Sequence, residues 1–449
     1  LTSAVARGQF SPSGDPIGRD AILDWNAVAL EAVVADHTLG GPTYSQGGPT
    51  RASRALAIVH AAMFDAANSV EAYAKPYLTF EAEPKASLDA AVAEAAADTL
   101  AALYPAQSAD FRRARNAYVG RVRNREARLK GLALGDLVAE RILRARQRDG
   151  SQFDPPYVPG TNPGDHNVDP LNPGQGFLTP GWGNVTPFAI ARIGDYRAPR
   201  PPALLSENYK AAFNEVRSVG EKNSKTRTRE QTLIGIYWAY DGMPGVGVPP
   251  RLYNQIARVI AQQERNSEIE NARLFALLNI AMADAGISCW DTKYHYNFWR
   301  PVLAIRSTVD PGWEPLGAPA TNGGNGGRNF TPNFPAYTSG HATFGAASFK
   351  TLANFYGTDE VAFEFVSDEL NGRTRGSDGV TVRPRVPRRF KTFSSATEEN
   401  AISRIYLGIH WRFDAEKGVA AGNELADKVY ETVLTLRHKG DQRRPPRKP

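Results

Sequence analysis

Apolar residues recur at spacings of three and four along most of this chain, and that period dictates a helical core. Residues 52–69 set Leu56, Val59, Met63 and Phe64 on one helical face. The alanine-rich run 88–104 stops at Pro105, where a helix should end. Residues 125–147 align Leu134, Val138 and Ile142 on one stripe, and the arginines between them are expected on a solvated face. Ser267 and Glu270 have the spacing of a capping box heading a long apolar helix that runs towards Trp290. Ser395 and Glu398 predict a second box before the helix that carries Arg404. Another helix is predicted from near Ser339 to Gly357, a glycine suited to a left-handed cap. Strand patterns are scarce and short. The fold class that follows is mostly α, with long Pro/Gly-rich loops.

At 449 residues the chain is long for one simple core. We expect one large helical domain over 1–449, with an N-terminal helical half at 20–235 and a C-terminal half at 236–440. Segment 151–187 holds eight prolines and six glycines. It is expected to join the two halves rather than to border a substrate channel. Residues 371–393 carry six arginines and one lysine against Asp378. With no interleaved aromatics, they are expected to form a surface loop rather than a polyanion site. The net charge of +6 favours anionic ligands but does not argue for nucleic acid. Zinc-finger spacing and RNA-recognition aromatics are absent from the sequence. No run approaches 18 consecutive apolar residues, so no membrane span is predicted. The single cysteine, Cys289, excludes an intramolecular disulfide and a cysteine-based metal cluster.

Three segments concentrate the chemistry. The first runs from Lys293 to Arg300-Pro301, with Trp290 three residues ahead. The second runs from Phe334 through Thr338 to Ser339-Gly340-His341. The third runs from Ser403-Arg404 through Gly408 and His410 to Asp414. A lysine and two arginines can neutralise a tetrahedral oxyanion, and each guanidinium fork matches two oxygens. Ser339 and Gly340 fall where a helix should begin, so free backbone N–H groups favour an anion there. His341 and His410 add what arginine lacks: an acid, base, nucleophile or metal ligand near neutral pH. Asp414 is spaced to orient an imidazole through its second nitrogen.

Taken in order with their internal spacing, these blocks resemble the signature shared by vanadium-dependent haloperoxidases and type 2 phosphatidic acid phosphatases. The first and third blocks match fully. The second departs once, with Thr338 where the family usually has proline, and a local backbone change is expected there. A weaker likeness to bacterial haloperoxidase homologues covers Arg54 to Ser69, with His60, Phe64, Asp65 and Asn68, then Tyr73 and Pro76-Tyr77. The resemblance implies a helical protein with two four-helix bundles as its core.

The resemblance also implies roles. His410 would coordinate vanadium(V), and Lys293, Arg300, Ser339, Gly340 and Arg404 would hold the vanadate oxygens. His341 would serve as acid–base while hydrogen peroxide binds, and Lys293 would polarise the peroxide for attack by halide. Trp290 and Phe334 look like the halide-side aromatics of fungal-type chloroperoxidases; algal-type bromoperoxidases have a histidine at the second position. An organic acceptor for the halogen stays open. No haem is expected. The rival reading is a phosphatase in which His410 becomes a phosphohistidine and His341 the general acid. A third is a non-catalytic anion-binding protein. Family habit and a chain beginning at Leu1 lead us to expect a secreted or periplasmic protein. The sequence leaves the oligomeric state open, although apolar helices such as 88–104 could pack across a homodimer.

Overall fold

The computed structural model describes residues 20–39 and 45–437. It is mostly α. The helices are α1 (Ala21–Leu39), α2 (Gly48–Val70), α3 (Leu88–Leu103), α4 (Ser108–Val119), α5 (Arg125–Arg146), α6 (Glu207–Val219) and α7 (Arg229–Tyr237). They continue with α8 (Pro249–Gln263), α9 (Glu268–Tyr296), α10 (Pro301–Thr308), α11 (Gly340–Tyr356), α12 (Phe393–Tyr406) and α13 (Arg412–Thr432). Strands β1 (Phe363–Asn371) and β2 (Arg385–Phe390) form an antiparallel pair.

α9 is the spine. It packs against α2 on the N-terminal side and against α11 and α13 on the C-terminal side. Its head is capped as its sequence predicts: Ser267 and Glu270 exchange side-chain-to-backbone hydrogen bonds. By length and composition α9 could cross a membrane, yet its apolar stretch is wholly buried, which marks it as a core helix. α2, α3 and α5 pack on one another beside it, while α11, α12 and α13 pack together at the other end. α13 lies tight on α11 because Gly422 has no Cβ; one there would stand 2.4 Å from the Thr343 carbonyl oxygen.

The N-terminal run around His60 holds structure together. His60 bonds the Leu56 carbonyl oxygen through Nδ1 and Asn26 through Nε2. Asp65 accepts the N–H groups of Tyr77 and Leu78, and Asn68 accepts those of Tyr73 and Ala74. These two side chains clamp the segment that leaves α2.

Four expectations need correction. The cap of α12 is Thr392 with Ser395, one turn before the predicted Ser395 and Glu398. Both patterns fit the capping rule, and the aromatic Phe393 is drawn into the buried core, which starts the helix earlier. Residues 371–393 are not a plain loop: β2 lies within them, and two of its three arginines are paired. Arg389 meets Glu364 at 2.6 Å, and Arg388 meets Glu230 and Glu399. Helix α3 does not offer an apolar face to a second copy, because Ala90 through Ala97 are buried against α2, α4 and α5. Not every arginine of α5 is solvated: Arg146 is buried and shares Asp149 with Arg54.

Gly422→Ala should cost about 1–3 kcal/mol by overpacking the α11–α13 contact. Gly174 has no atom within 4 Å of a built Cβ, so Gly174→Ala should leave the thermal midpoint near the wild-type value. Thermal unfolding followed by circular dichroism checks the pair.

Candidate active site

The ends of four helices meet at one cavity. α9 brings Trp290 and Lys293 on its last turns. Arg300 is the N-cap residue of α10. Ser339 caps α11, its hydroxyl accepting the Ala342 N–H, so Gly340 and His341 open that helix. α12 carries Arg404 in its last turn. The chain then turns back at Gly408, whose φ of 73° and contact with the Gly220 backbone tolerate no side chain. That turn delivers His410. The cavity has a volume of about 180 Å3, and Gly340, His341, Arg404 and His410 line it beside Trp290 and Phe334.

Hydrogen bonds define the tautomer of His410. Arg300 Nη1 lies 2.9 Å from Nε2, and a guanidinium can only donate. Nε2 therefore accepts, and the ring proton sits on Nδ1, which donates to Asp414 Oδ2 at 2.9 Å. The Asp414 oxygen also accepts the Trp411 N–H. Burial pushes the Asp414 carboxyl up to about 7, against the Trp411 N–H and the charges of Lys293 and Arg300. Burial, then Arg300, Lys293 and Arg404, hold His410 well below its ordinary value, so its ring is neutral with a free-electron-pair nitrogen.

The cations are short of acceptors. Arg300 gives Nε to the Phe334 carbonyl oxygen and Nη1 to that of Ile409, while Nη2 is buried without a protein partner. Arg404 gives Nη2 to Asp241 Oδ1 at 2.6 Å, and its Nε and Nη1 are buried without partners. Burial lowers Arg300 to about 9, with Arg404 adding to the effect. Orphaned guanidinium N–H groups beside an imidazole lone pair form a cradle suited to an anion. A Cβ on Gly340 would approach the Trp290 ring at 3.6 Å, so glycine keeps that part of the cavity open. The residues thus fit a tetrahedral oxyanion to which His410 Nε2 could add one nitrogen ligand.

Lys293 differs from expectation in its contacts. Its ammonium is fully buried and donates to the carbonyl oxygens of Pro335, Ala336 and Thr338. Burial pushes it down to about 7, whereas three carbonyl oxygens favour the charged form. All three of its protons are engaged, so it orders the segment before Ser339 and contributes charge. Thr338, in the departing position, follows a cis peptide bond and is buried, its hydroxyl 3.5 Å from Cys289 Sγ. The pocket survives the substitution.

The aromatic wall is in place. The Trp290 and Phe334 rings lie 4.8 Å apart. Lys293 Nζ stands 5.0 Å and the Arg300 guanidinium 4.9 Å from the Phe334 ring centre, so one ring faces both cations.

Two participants escaped sequence reasoning. Asp241, in the loop after α7, is buried, pairs with Arg404 and lies 3.9 Å from His341 Nε2. Its flanking signal is a turn: Tyr240 and Gly242 both have positive φ. His341 gives its Nε2–H to the Ala239 carbonyl oxygen, so its basic nitrogen is Nδ1. Burial and then Arg404 hold its pKa well below the ordinary value. The second participant is segment 151–187, which does more than link. Leu178 lines the cavity, and its carbonyl oxygen accepts from Trp290 Nε1 and the Tyr294 hydroxyl. Downstream of that segment, Asp284 on α9 binds the N–H groups of Phe188, Ala189 and Ile190.

A mostly helical scaffold that buries an imidazole, its carboxylate partner and guanidinium groups with unpartnered N–H donors around one cavity fits an oxyanion-dependent enzyme. Comparison makes the class specific. Residues 17–175 match the vanadium chloroperoxidase N-terminal domain, and residues 273–439 match the second helical-bundle domain of that family. Vanadium chloroperoxidase from Curvularia inaequalis is 35% identical, across 88% of this chain and 79% of that protein. The chain belongs to the vanadium chloroperoxidase family of vanadium-dependent haloperoxidases. The fold is shared with a bacterial vanadium-dependent iodoperoxidase (TM-score 0.77, 24% identity, 95% of this chain and 99% of that one). It is shared also with the holo form of a bacterial vanadium-dependent chloroperoxidase (TM-score 0.67, 18% identity, 88% and 94%).

Asp414→Asn keeps the side chain's shape but removes the charge that steadies the Nδ1 proton. Orthovanadate affinity, measured by calorimetry, should fall about 10–100-fold.

Proposed function

We propose that this chain oxidises halide with hydrogen peroxide to a hypohalous acid equivalent, using a vanadate held in the His410 cavity. One observation carries the reading: His410 Nε2 lies against Arg300, and Nη2 of that guanidinium, with Nε and Nη1 of Arg404, is buried without a protein acceptor. Membership of the family supports it.

Vanadate bound there supplies a Lewis-acidic vanadium(V) centre that polarises hydrogen peroxide. In this reading His410 Nε2 is the protein ligand to the metal. Asp414 fixes the tautomer that leaves Nε2 free, as a carboxylate behind a metal-bound imidazole does. Arg300, Arg404, the Ser339 hydroxyl and the Gly340 N–H would hold the oxygens. Lys293 adds positive charge to the oxygen side from its ring of carbonyls. His341 is neutral, so it can take a proton at Nδ1 from hydrogen peroxide and return it. Asp241 shares Arg404 with the cavity and so limits how much charge the guanidinium brings. Trp290 and Phe334 keep water from the halide side, which strengthens every charge interaction inside.

The phosphatase reading assigns the same side chains other roles. The related vanadium chloroperoxidase and the aromatic wall both favour the peroxidase.

Purified protein, stripped of metal, is assayed with monochlorodimedone, hydrogen peroxide and chloride or bromide, with and without orthovanadate, beside a p-nitrophenyl phosphate assay. Halogenation that depends on added vanadate is expected. Ester hydrolysis inhibited by vanadate, with no halogenation from any halide, would falsify the peroxidase reading. Phe334→Ala removes a ring shared by two cations and opens the wall to water; kcat with chloride should fall about tenfold, and a wild-type kcat would contradict the role given to the ring.

A further inference from the structure

A second, smaller cavity shares Pro332 and Asn333 with the first and is lined by His166, Thr331 and Arg300. Both ring nitrogens of His166 and the hydroxyl of Thr331 are buried there without a protein partner. Their residues are 3% and 2% exposed, and Arg300 is 1% exposed. Buried polar groups of this kind are nearly always satisfied, so the cavity is built for an occupant.

The position of His166 is set by the fold. Its backbone N–H donates to the Asn297 carbonyl oxygen, and Trp299 N–H donates to that of Gly164, so the loop is stitched to the chain just before Arg300. The rings of Tyr157 and Phe177 pack around the imidazole at 6.1 and 5.7 Å between centres, which keeps it dry. Burial, then the charges of Arg300 and Lys293, hold the imidazole well below its ordinary value. It is neutral and offers one N–H.

Charge and size select the occupant. The neighbouring cation Arg300 bonds two carbonyl oxygens and an imidazole but no carboxylate. The carboxylate at the rim, Asp169, is tied to Leu171 N–H, Asn172 and Gln175. A histidine N–H and a threonine O–H beside an unneutralised guanidinium suit an anion. The free space of about 10 Å3 holds one atom-sized guest and excludes a polyatomic oxyanion or an organic acceptor. A surface cleft of about 490 Å3, bordered by Lys222 and Arg328, shares Asp169, Asn172 and Thr331 with this cavity and supplies a way in.

We propose that this cavity is a halide-binding site, in which one chloride, bromide or iodide ion is held by His166 N–H and Thr331 O–H against Arg300. The site lies one layer of residues from the oxyanion cavity and would stock halide apart from the Trp290–Phe334 wall. Only the identity of the anion as halide rests on the peroxidase reading.

Crystals of the vanadate-loaded enzyme soaked in bromide, with data collected at the bromine absorption edge, test it. The expected result is an anomalous peak within hydrogen-bond reach of His166 and Thr331, lost in Thr331→Val and in His166→Leu. In solution the bromide KM of Thr331→Val should rise about tenfold, from loss of one hydrogen bond to a charge, while orthovanadate affinity stays within about twofold. Absence of the peak at bromide concentrations that saturate turnover overturns the proposal. So does a peak accompanied by wild-type KM in both variants, which marks adventitious binding. A peak in a protein that shows no vanadate-dependent halogenation keeps the anion site and removes the peroxidase reading instead.

Discussion

Burying positive charge without enough negative charge is the constraint on which this structure turns. Lys293, Arg300 and Arg404 are each at most 1% exposed. The acids within reach are Asp241, bonded to Arg404, and Asp414, bonded to His410. Burial raises both carboxyls, which weakens them further as counter-charges. Desolvating a cation costs several kcal/mol even after relaxation. Carbonyl oxygens take part of the load at Lys293 and Arg300, and an anion bound among the three would take the rest. The unpartnered nitrogens of Arg300 and Arg404 point to where that anion belongs.

The helices answer the same constraint. α9 runs through the core, so Lys293 is brought in from a largely buried helix rather than from a loop. The close packing of α13 on α11 at Gly422 fixes the helix whose first residues face the anion. Ser339 N–H bonds the Asp414 carbonyl oxygen, which ties the start of α11 to the His410 segment. Arg300 touches both Phe334 and His410, and it separates the oxyanion cavity from the small cavity at His166. One guanidinium therefore touches the proposed metal ligand, the aromatic wall and the proposed halide site.

Much of this was legible in the sequence, for a physical reason. Helical periodicity and capping are local, so α2, α9 and α11 could be placed from spacing alone. The site blocks were legible because each marks a helix end: Arg300 and Ser339 are N-caps, and Gly408 makes a turn that no other residue tolerates. What was hidden depends on distant contacts. Asp241 and His166 sit in loops without periodicity, and only tertiary folding brings them to Arg404 and Arg300. Leu178 reaches the cavity through its carbonyl oxygen and its place in a segment that composition alone marks as a connection. The strand at 385–390 was obscured by Pro387, and Arg388 and Arg389 declare their role only when Glu399 and Glu364 lie opposite. The cap of α12 was ambiguous because two capping patterns overlap one turn apart.

The central claim is that His410 Nε2, kept unprotonated by Asp414 and Arg300, is a ligand to vanadium and not merely a neighbour of a bound oxyanion. X-ray absorption at the vanadium edge on the vanadate-loaded protein tests this most directly. The account predicts an imidazole nitrogen in the first coordination sphere that disappears in His410→Ala, with weaker oxyanion binding persisting through the arginines. An all-oxygen coordination sphere in the wild-type protein would contradict it.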